Sequence, residues 1–433
     1  MVIRSIADLS SRSYLRFAVV EMTIWRALFT KTMNLAKMTM LYLLIIKFKS
    51  MKLFSQKSLA LLVPVLAVVL LLSGCVSQPP APKALETIKI GVIAPMSGDA
   101  AAVGEQIKKV FDYLLPSINE TAKNEGKQYQ FIYEDGKCAG SEAVAAYQKL
   151  TNIDGVKFIF GGMCSSETLA IAPLTKDGST LVVSSLSSNP ALEGASPYTF
   201  TFSYSDDVMG KTLAKEMSKY ERVALITEQT DWNIGIQKVL LDELKANYPK
   251  VTVVANEVFP KGATDIRSTL EKVKKMAPAA LFLNPAPGVT AETLVKQMAE
   301  LKEWTGCTMF GQTSYIGESN LKVAPEITEG MIVVDAPKST NSEFVTLSGE
   351  IETAKGTISD LGAYYSAAII DSTRIMTKLI SEFGNDPIAV QKALKERTFS
   401  GFISNDINFK NSSFPNIGGG IYKVIDGKAV YQQ

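Results

Sequence analysis

From residue 87 onward, short apolar runs alternate with longer amphipathic stretches. Thr87–Ala94, Tyr129–Tyr133, Val156–Phe160 and Leu181–Val183 are largely apolar and rich in β-branched and aromatic residues, the pattern of strands buried on both faces. Ala101–Ile118 and Ser141–Leu150 lie between them with apolar residues at helical spacing. This βα rhythm predicts a doubly wound parallel sheet with right-handed crossovers. After Tyr198–Tyr204 the rhythm restarts. Ser205 stands as the cap of a helix running to Tyr220, and strands are expected at Val223–Thr227, Val251–Val258, Ala279–Leu283, Thr308–Gly311 and Met331–Val334. Helices are expected at Gln237–Asn247, Asp265–Lys275 and Ala291–Leu301, and a loop, Glu228–Gly235, holds Trp232. The fold class is therefore α/β with two domains of similar pattern. Ser359–Phe383 and Pro387–Glu396 read as helices, and Gly418–Gly420 turns into a final strand, Ile421–Ile425.

The stretch Val156–Pro190 carries the most chemistry. Its first strand ends at Gly161-Gly162, after which Ser165 and Ser166 open a helix that Lys176-Asp177-Gly178 closes. Its second strand also ends in hydroxyls, among them Ser187 and Ser188. Two consecutive parallel strands thus finish in serine-rich turns at the carboxyl edge of one sheet, where doubly wound folds bind ligands. A helix N-terminus at that edge suits a carboxylate or another small anion.

The first 84 residues read as an address. Met51 begins a basic and then apolar segment that ends in Leu72-Ser73-Gly74-Cys75, the layout of a secretory signal. Its end resembles the lipobox, in which the cysteine is lipidated and becomes the mature first residue. Residues 51–75 are then the signal, 76–84 a Pro-rich tether, and 1–50 an upstream extension outside the mature protein. This places the protein outside the cytoplasm, held on the outer face of the membrane by a lipid on Cys75.

Composition narrows the chemistry. The chain of 433 residues has a formal net charge of +2, so nothing in its charge points to nucleic acid. It contains no histidine, which removes Ser-His-Asp and Cys-His sites, and its four cysteines lack Cys₄ zinc spacing. No G-x-S-x-G motif is present, and neither an enzyme nor a cofactor is indicated.

The segments IKIGVIAPMSGDAAAVGEQIKKV, YEDGKC, VKFIFGGMCSSETLAIAPL and VVSSLSSNPAL resemble the solute-binding proteins of branched-chain amino acid ABC transporters. The resemblance runs from about Ile88 to the C-terminus. It implies a type I periplasmic-binding-protein fold, a Venus flytrap of two lobes joined by a three-strand hinge, with lobe 1 at 85–204 and 336–408 and lobe 2 at 205–335 and 409–433. It implies that Ser165, Leu186 N–H and Ser188 meet a ligand carboxylate, that Val103 shapes a side-chain pocket, and that Trp232, Thr313 and Tyr315 cover the ligand from lobe 2. It also implies a Cys138–Cys164 disulfide, with Cys307 a free buried thiol. Members that bind α-amino acids hold the ammonium with an acid where this chain has Thr313. A buried ammonium without a carboxylate is costly, so an amino acid, an amide and a small carboxylate all stay open as ligand. The implied function is capture of such a small polar ligand for ABC transporter permease subunits; the alternative is a ligand-sensing ectodomain signalling to a membrane partner.

Overall fold

A computed structural model describes residues 84–339 and 341–432. Cys75, the signal segment and the extension before it lie outside the described residues. Lobe 1 opens with β1 (Glu86–Ala94), α1 (Ala101–Lys123), β2 (Lys127–Asp135), α2 (Gly140–Asn152), β3 (Phe158–Phe160), α3 (Ser165–Ile171), β4 (Leu181–Ser184) and β5 (Thr199–Thr201). Its five strands are all parallel, in the order β2-β1-β3-β4-β5. The chain then builds the second sheet from β6 (Arg222–Glu228), β7 (Thr252–Phe259), β8 (Ala280–Asn284), β9 (Thr308–Gly311) and β10 (Ile332–Asp335). These take the same winding, β7-β6-β8-β9-β10, and antiparallel β13 (Gly420–Ile425) and β14 (Lys428–Tyr431) extend the sheet beyond β10. The helices of this part are α4 (Asp206–Met217), α5 (Asp231–Asn247), α6 (Arg267–Lys275), α7 (Val289–Leu301), α8 (Glu318–Leu321) and α9 (Pro325–Thr328).

Between β10 and β13 the chain returns to the first lobe. There α10 (Ser342–Lys355) and α11 (Ala363–Phe383) pack on α1, and α12 (Pro387–Glu396) packs on α11 and β4. β11 (Thr398–Phe399) and β12 (Ile407–Asn408) form a small ribbon before the last crossing. Three crossings therefore join two doubly wound sheets, after β5, after β10 and before β13. In each sheet the strand order reverses at the first strand, β1 or β6, so each has its switch point at its carboxyl edge.

Three local departures from the sequence reading have physical causes. The helix at Ser165 ends after Ile171 and continues as a 3-10 turn, Ala172–Thr175, because Pro173 has no N–H for the next helical bond. At seven residues it lends little dipole to an anion. The segment Glu228–Gly235 is largely helix: Thr230 caps α5 by accepting the Asn233 N–H at 3.1 Å, so Trp232 stands in a helical first turn. α10 was not anticipated, since only Phe344 and Ile351 along it are buried.

The core is continuous where α1, α11 and the first sheet meet. Phe111 of α1 sits against Phe131 and Phe160 with ring centroids 5.4 and 5.3 Å away. Among the described residues no helix is long and apolar enough to cross a membrane. Phe111→Ala removes the ring that locks α1 to β2 and β3, and we expect it to lower the unfolding free energy by about 3–5 kcal/mol, read from urea denaturation.

Candidate ligand cleft between the lobes

The carboxyl edges of the two sheets face one another. On the first lobe, Glu167 is fully buried and holds two turns together. Its Oε1 accepts the Cys138 N–H at 3.0 Å and its Oε2 the Cys164 N–H at 2.9 Å. Burial pushes its carboxyl up to about 7, and main-chain donors offset part of that rise. A Cβ on either Gly136 or Gly162 would lie 2.1 Å from this side chain, so both positions need glycine. Cys138 and Cys164 form the disulfide the resemblance implied, with Cα atoms 5.2 Å apart. Cys307 is free and partly buried, and burial pushes its thiol up to about 12. On the second lobe Glu228 performs the same service, accepting Gly262 N–H at 2.9 Å and Ala286 N–H at 2.6 Å.

Within this frame Ser165 Oγ accepts the N–H groups of Ser188 and Asn189, each at 3.3 Å. The two serine turns are thereby one unit, and Ser165 and Ser188 are both buried. Ser188 O in turn accepts the Asp206 N–H at 2.9 Å, which brings the first residue of α4 beside the turn. Trp232 reaches the same place, donating from Nε1 to Asp206 Oδ1 at 3.3 Å. Thr313 donates to Asp335 Oδ1 at 2.7 Å, and the same oxygen accepts from Tyr365 OH at 3.2 Å and Tyr204 OH at 3.3 Å. Ser165, Ser188, Trp232 and Thr313 therefore border a polar cluster centred on two aspartates that the sequence reading did not single out.

Both aspartates are buried. Burial raises the Asp206 carboxyl to about 8; the Ser188 hydroxyl and the Trp232 indole offset some of this, and Asp335 adds to it. Burial likewise raises Asp335 to about 6 despite its Thr313, Ala336, Tyr365 and Tyr204 donors. Among the described residues neither forms an ion pair, and Asp206 Oδ2 has no hydrogen-bond partner. A buried acceptor left in this state is costly.

The other expected ligand residues lie elsewhere or are already engaged. Tyr315 is fully buried in the core of the second lobe, its hydroxyl donating to Ala291 O at 3.4 Å, because Thr313–Tyr315 winds as a 3-10 turn that sends residues two apart in different directions. The Leu186 N–H goes to Ser184 Oγ at 3.3 Å. Ser187 donates to Gly162 O at 2.9 Å and pairs with Thr168, and Ser166 donates to Cys138 O at 3.0 Å. Val103 is half-buried in the first turn of α1, against the core.

The lobes touch around this cluster. Lys261 Nζ donates to Cys138 O at 2.8 Å, Asn189 Nδ2 donates to Asp231 O at 2.6 Å, and Asp99 lies against Gly262 and Gly288.

The profile of the periplasmic binding protein family matches residues 87–422, and the chain belongs to this family. The Leu/Ile/Val-binding protein of Escherichia coli K12 is 28% identical over 211 residues, covering 47% of this chain and 56% of that protein. The aligned stretch thus spans little more than half the length of that relative. Among solved structures, a solute-binding protein from Rhodopseudomonas palustris HaA2 in complex with p-hydroxybenzoic acid superposes with TM-score 0.71 at 19% identity, covering 80% of this chain and 96% of that one. A branched-chain amino acid transporter substrate-binding protein from Streptococcus pneumoniae, in complex with isoleucine, gives TM-score 0.68 at 20% identity, covering 80% and 100%. These two share the fold.

A pH dependence follows from Asp206. Its folded value lies above its ordinary one, so between the two the folded chain keeps a proton that the unfolded chain releases. That stabilisation is complete at low pH and is lost as pH rises towards about 8. We expect the stability of the wild type relative to Asp206→Asn to fall as pH rises from about 5 to about 8, by up to about 1.4 kcal/mol per pH unit, and to level off above, in denaturant titrations at stepped pH.

Proposed function

We propose that the chain is an extracytoplasmic solute-binding lipoprotein that holds a small zwitterion between its lobes and presents the closed complex to an ABC-type permease. The observation that carries the ligand class is Asp206 Oδ2, buried and without a hydrogen-bond partner among the described residues. An ammonium group placed against it completes that atom and neutralises a site that otherwise keeps a proton. Asp206 and Asp335 then supply the carboxylate that the position of Thr313 lacks. Ser165 accepts two main-chain N–H groups, which leaves its own proton to donate, and with Ser188 it takes the ligand's carboxylate. Trp232 covers the ligand from the second lobe. The half-sites belong to different lobes, so ligand favours closure by its differential affinity for the closed form. The Leu/Ile/Val-binding relative and the isoleucine-bound neighbour support a neutral amino acid.

A second reading draws on the raised Asp206 carboxyl. Protonated at neutral pH, it is a donor, and it suits a small acid without an ammonium group, as in the p-hydroxybenzoate-bound neighbour. Calorimetry separates the two. With L-leucine or L-isoleucine as probe, binding at pH 7 in buffers of different ionisation enthalpy releases a proton, affinity falls as pH is lowered, and Asp206→Asn weakens binding by more than tenfold, or about 1.4 kcal/mol. Ser165→Ala and Ser188→Ala each cost about 1–3 kcal/mol. Binding of p-hydroxybenzoate without proton release, with the amino acids inert, would replace the first reading by the second. Unchanged affinity in both serine variants would move the site elsewhere.

The membrane tether rests on Leu72-Ser73-Gly74-Cys75. Cys75→Ala is expected to leave the protein uncleaved or free of the membrane fraction, as judged by fractionation and intact mass. A mature N-terminus within residues 1–50 would refute the tether.

A further inference from the structure

We infer that Asn189 is a positioning residue that carries the state of the Ser165 turn to the helix bearing Trp232, and holds the two lobes closed by a contact that needs no ligand. Its anchorage in the first lobe is double. The Asn189 N–H donates to Ser165 Oγ at 3.3 Å, and its Oδ1 accepts the Ala191 N–H at 2.9 Å, capping the 3-10 turn Pro190–Leu192. With the oxygen fixed, the amide nitrogen is aimed at the second lobe, where it donates to Asp231 O at 2.6 Å. Asp231 is the first residue of α5, Trp232 is the next, and Trp232 bonds Asp206. A continuous series of hydrogen bonds and one peptide bond therefore runs from Ser165 through Asn189 and Trp232 to Asp206.

The helix makes room for this contact at a specific place. Gly235 lies one turn along α5, and a Cβ there would be 2.6 Å from Asn189 Nδ2, 3.0 Å from its Cγ and 3.4 Å from its Oδ1. These are the three nearest atoms, and all belong to Asn189. Gly235 has no positive φ that would call for glycine. Within a helix interior it costs about 1 kcal/mol relative to alanine. Its backbone thus has no use for glycine, and the space does. Asn189 cannot swing away cheaply, since both ends of its amide are bonded.

The test compares wild type with Gly235→Ala, Asn189→Ala and the double variant. Gly235→Ala should unfold thermally at or above the wild-type temperature, because alanine favours the helix. It should nevertheless give a more extended small-angle scattering profile without ligand, and bind L-leucine at least about tenfold more weakly, because the added methyl collides with Asn189 only when the lobes are shut. Asn189→Ala should be intermediate in extension. In its background Gly235→Ala should have no further effect on scattering or affinity, since the obstructing atoms are gone. The inference is overturned if Gly235→Ala scatters and binds as wild type, if it acts equally with and without Asn189, or if the ligand-free wild type is already as extended as Gly235→Ala. The affinity arm rests on the amino-acid reading above. If the wild type takes up no L-leucine, that reading fails by itself, and the ligand-free scattering still decides the role of Asn189.

Discussion

Desolvation of Asp206 governs the cleft. A carboxylate removed from water must be paired, richly hydrogen-bonded or protonated. Asp206 has one indole donor and a nearby serine hydroxyl, and its second oxygen has no hydrogen-bond partner among the described residues. Asp335, at the end of β10, has its donors and is still raised. Asp335 offers Asp206 no relief, because its charge raises the Asp206 carboxyl further. The surrounding architecture keeps this arrangement in place: the Ser188 carbonyl fixes the Asp206 amide, and Tyr204, just before α4, and Tyr365, on α11, bind Asp335.

Much of the fold was legible because parallel strands covered on both faces leave an apolar signature that few other elements share. Apart from the three-residue β5, the strands from β1 to β10 were each found within two or three residues of their ends. What was missed lacks that signature. α10 buries too little to show a stripe, and β14 is an exposed edge strand of mixed polarity. The start of α5 was hidden by Gly235, which reads as a loop residue until Asn189 is seen beside it. The return of α10, α11 and α12 to the first lobe is set by long-range packing, and no local pattern encodes it.

The site was legible to a different degree. Serine-rich turns at the ends of successive strands are local features, and Ser165 and Ser188 do come together. Asp206 was visible only as part of a helix cap, since Ser205-Asp206-Asp207 has the same appearance whether the second residue faces water or is buried. Asp335 offered a weak signal: an acid directly after an apolar strand, at the edge where ligands bind. Tyr315 shows the opposite failure. An aromatic two residues from Thr313 is expected to share its surroundings, yet the 3-10 turn puts one at the cleft and the other in the core.

Glu167 and Glu228 have a consequence for how such a receptor changes over time. Each fixes the loops of its lobe by bonding to main-chain N–H groups, which every residue except proline possesses. The shape of the loops is thus decoupled from the side chains they display. Substitutions at the lining positions can retune selectivity while the loops keep their course, and the lobes need not be redesigned for each new solute. A chain built in this way is a chassis with exchangeable fittings.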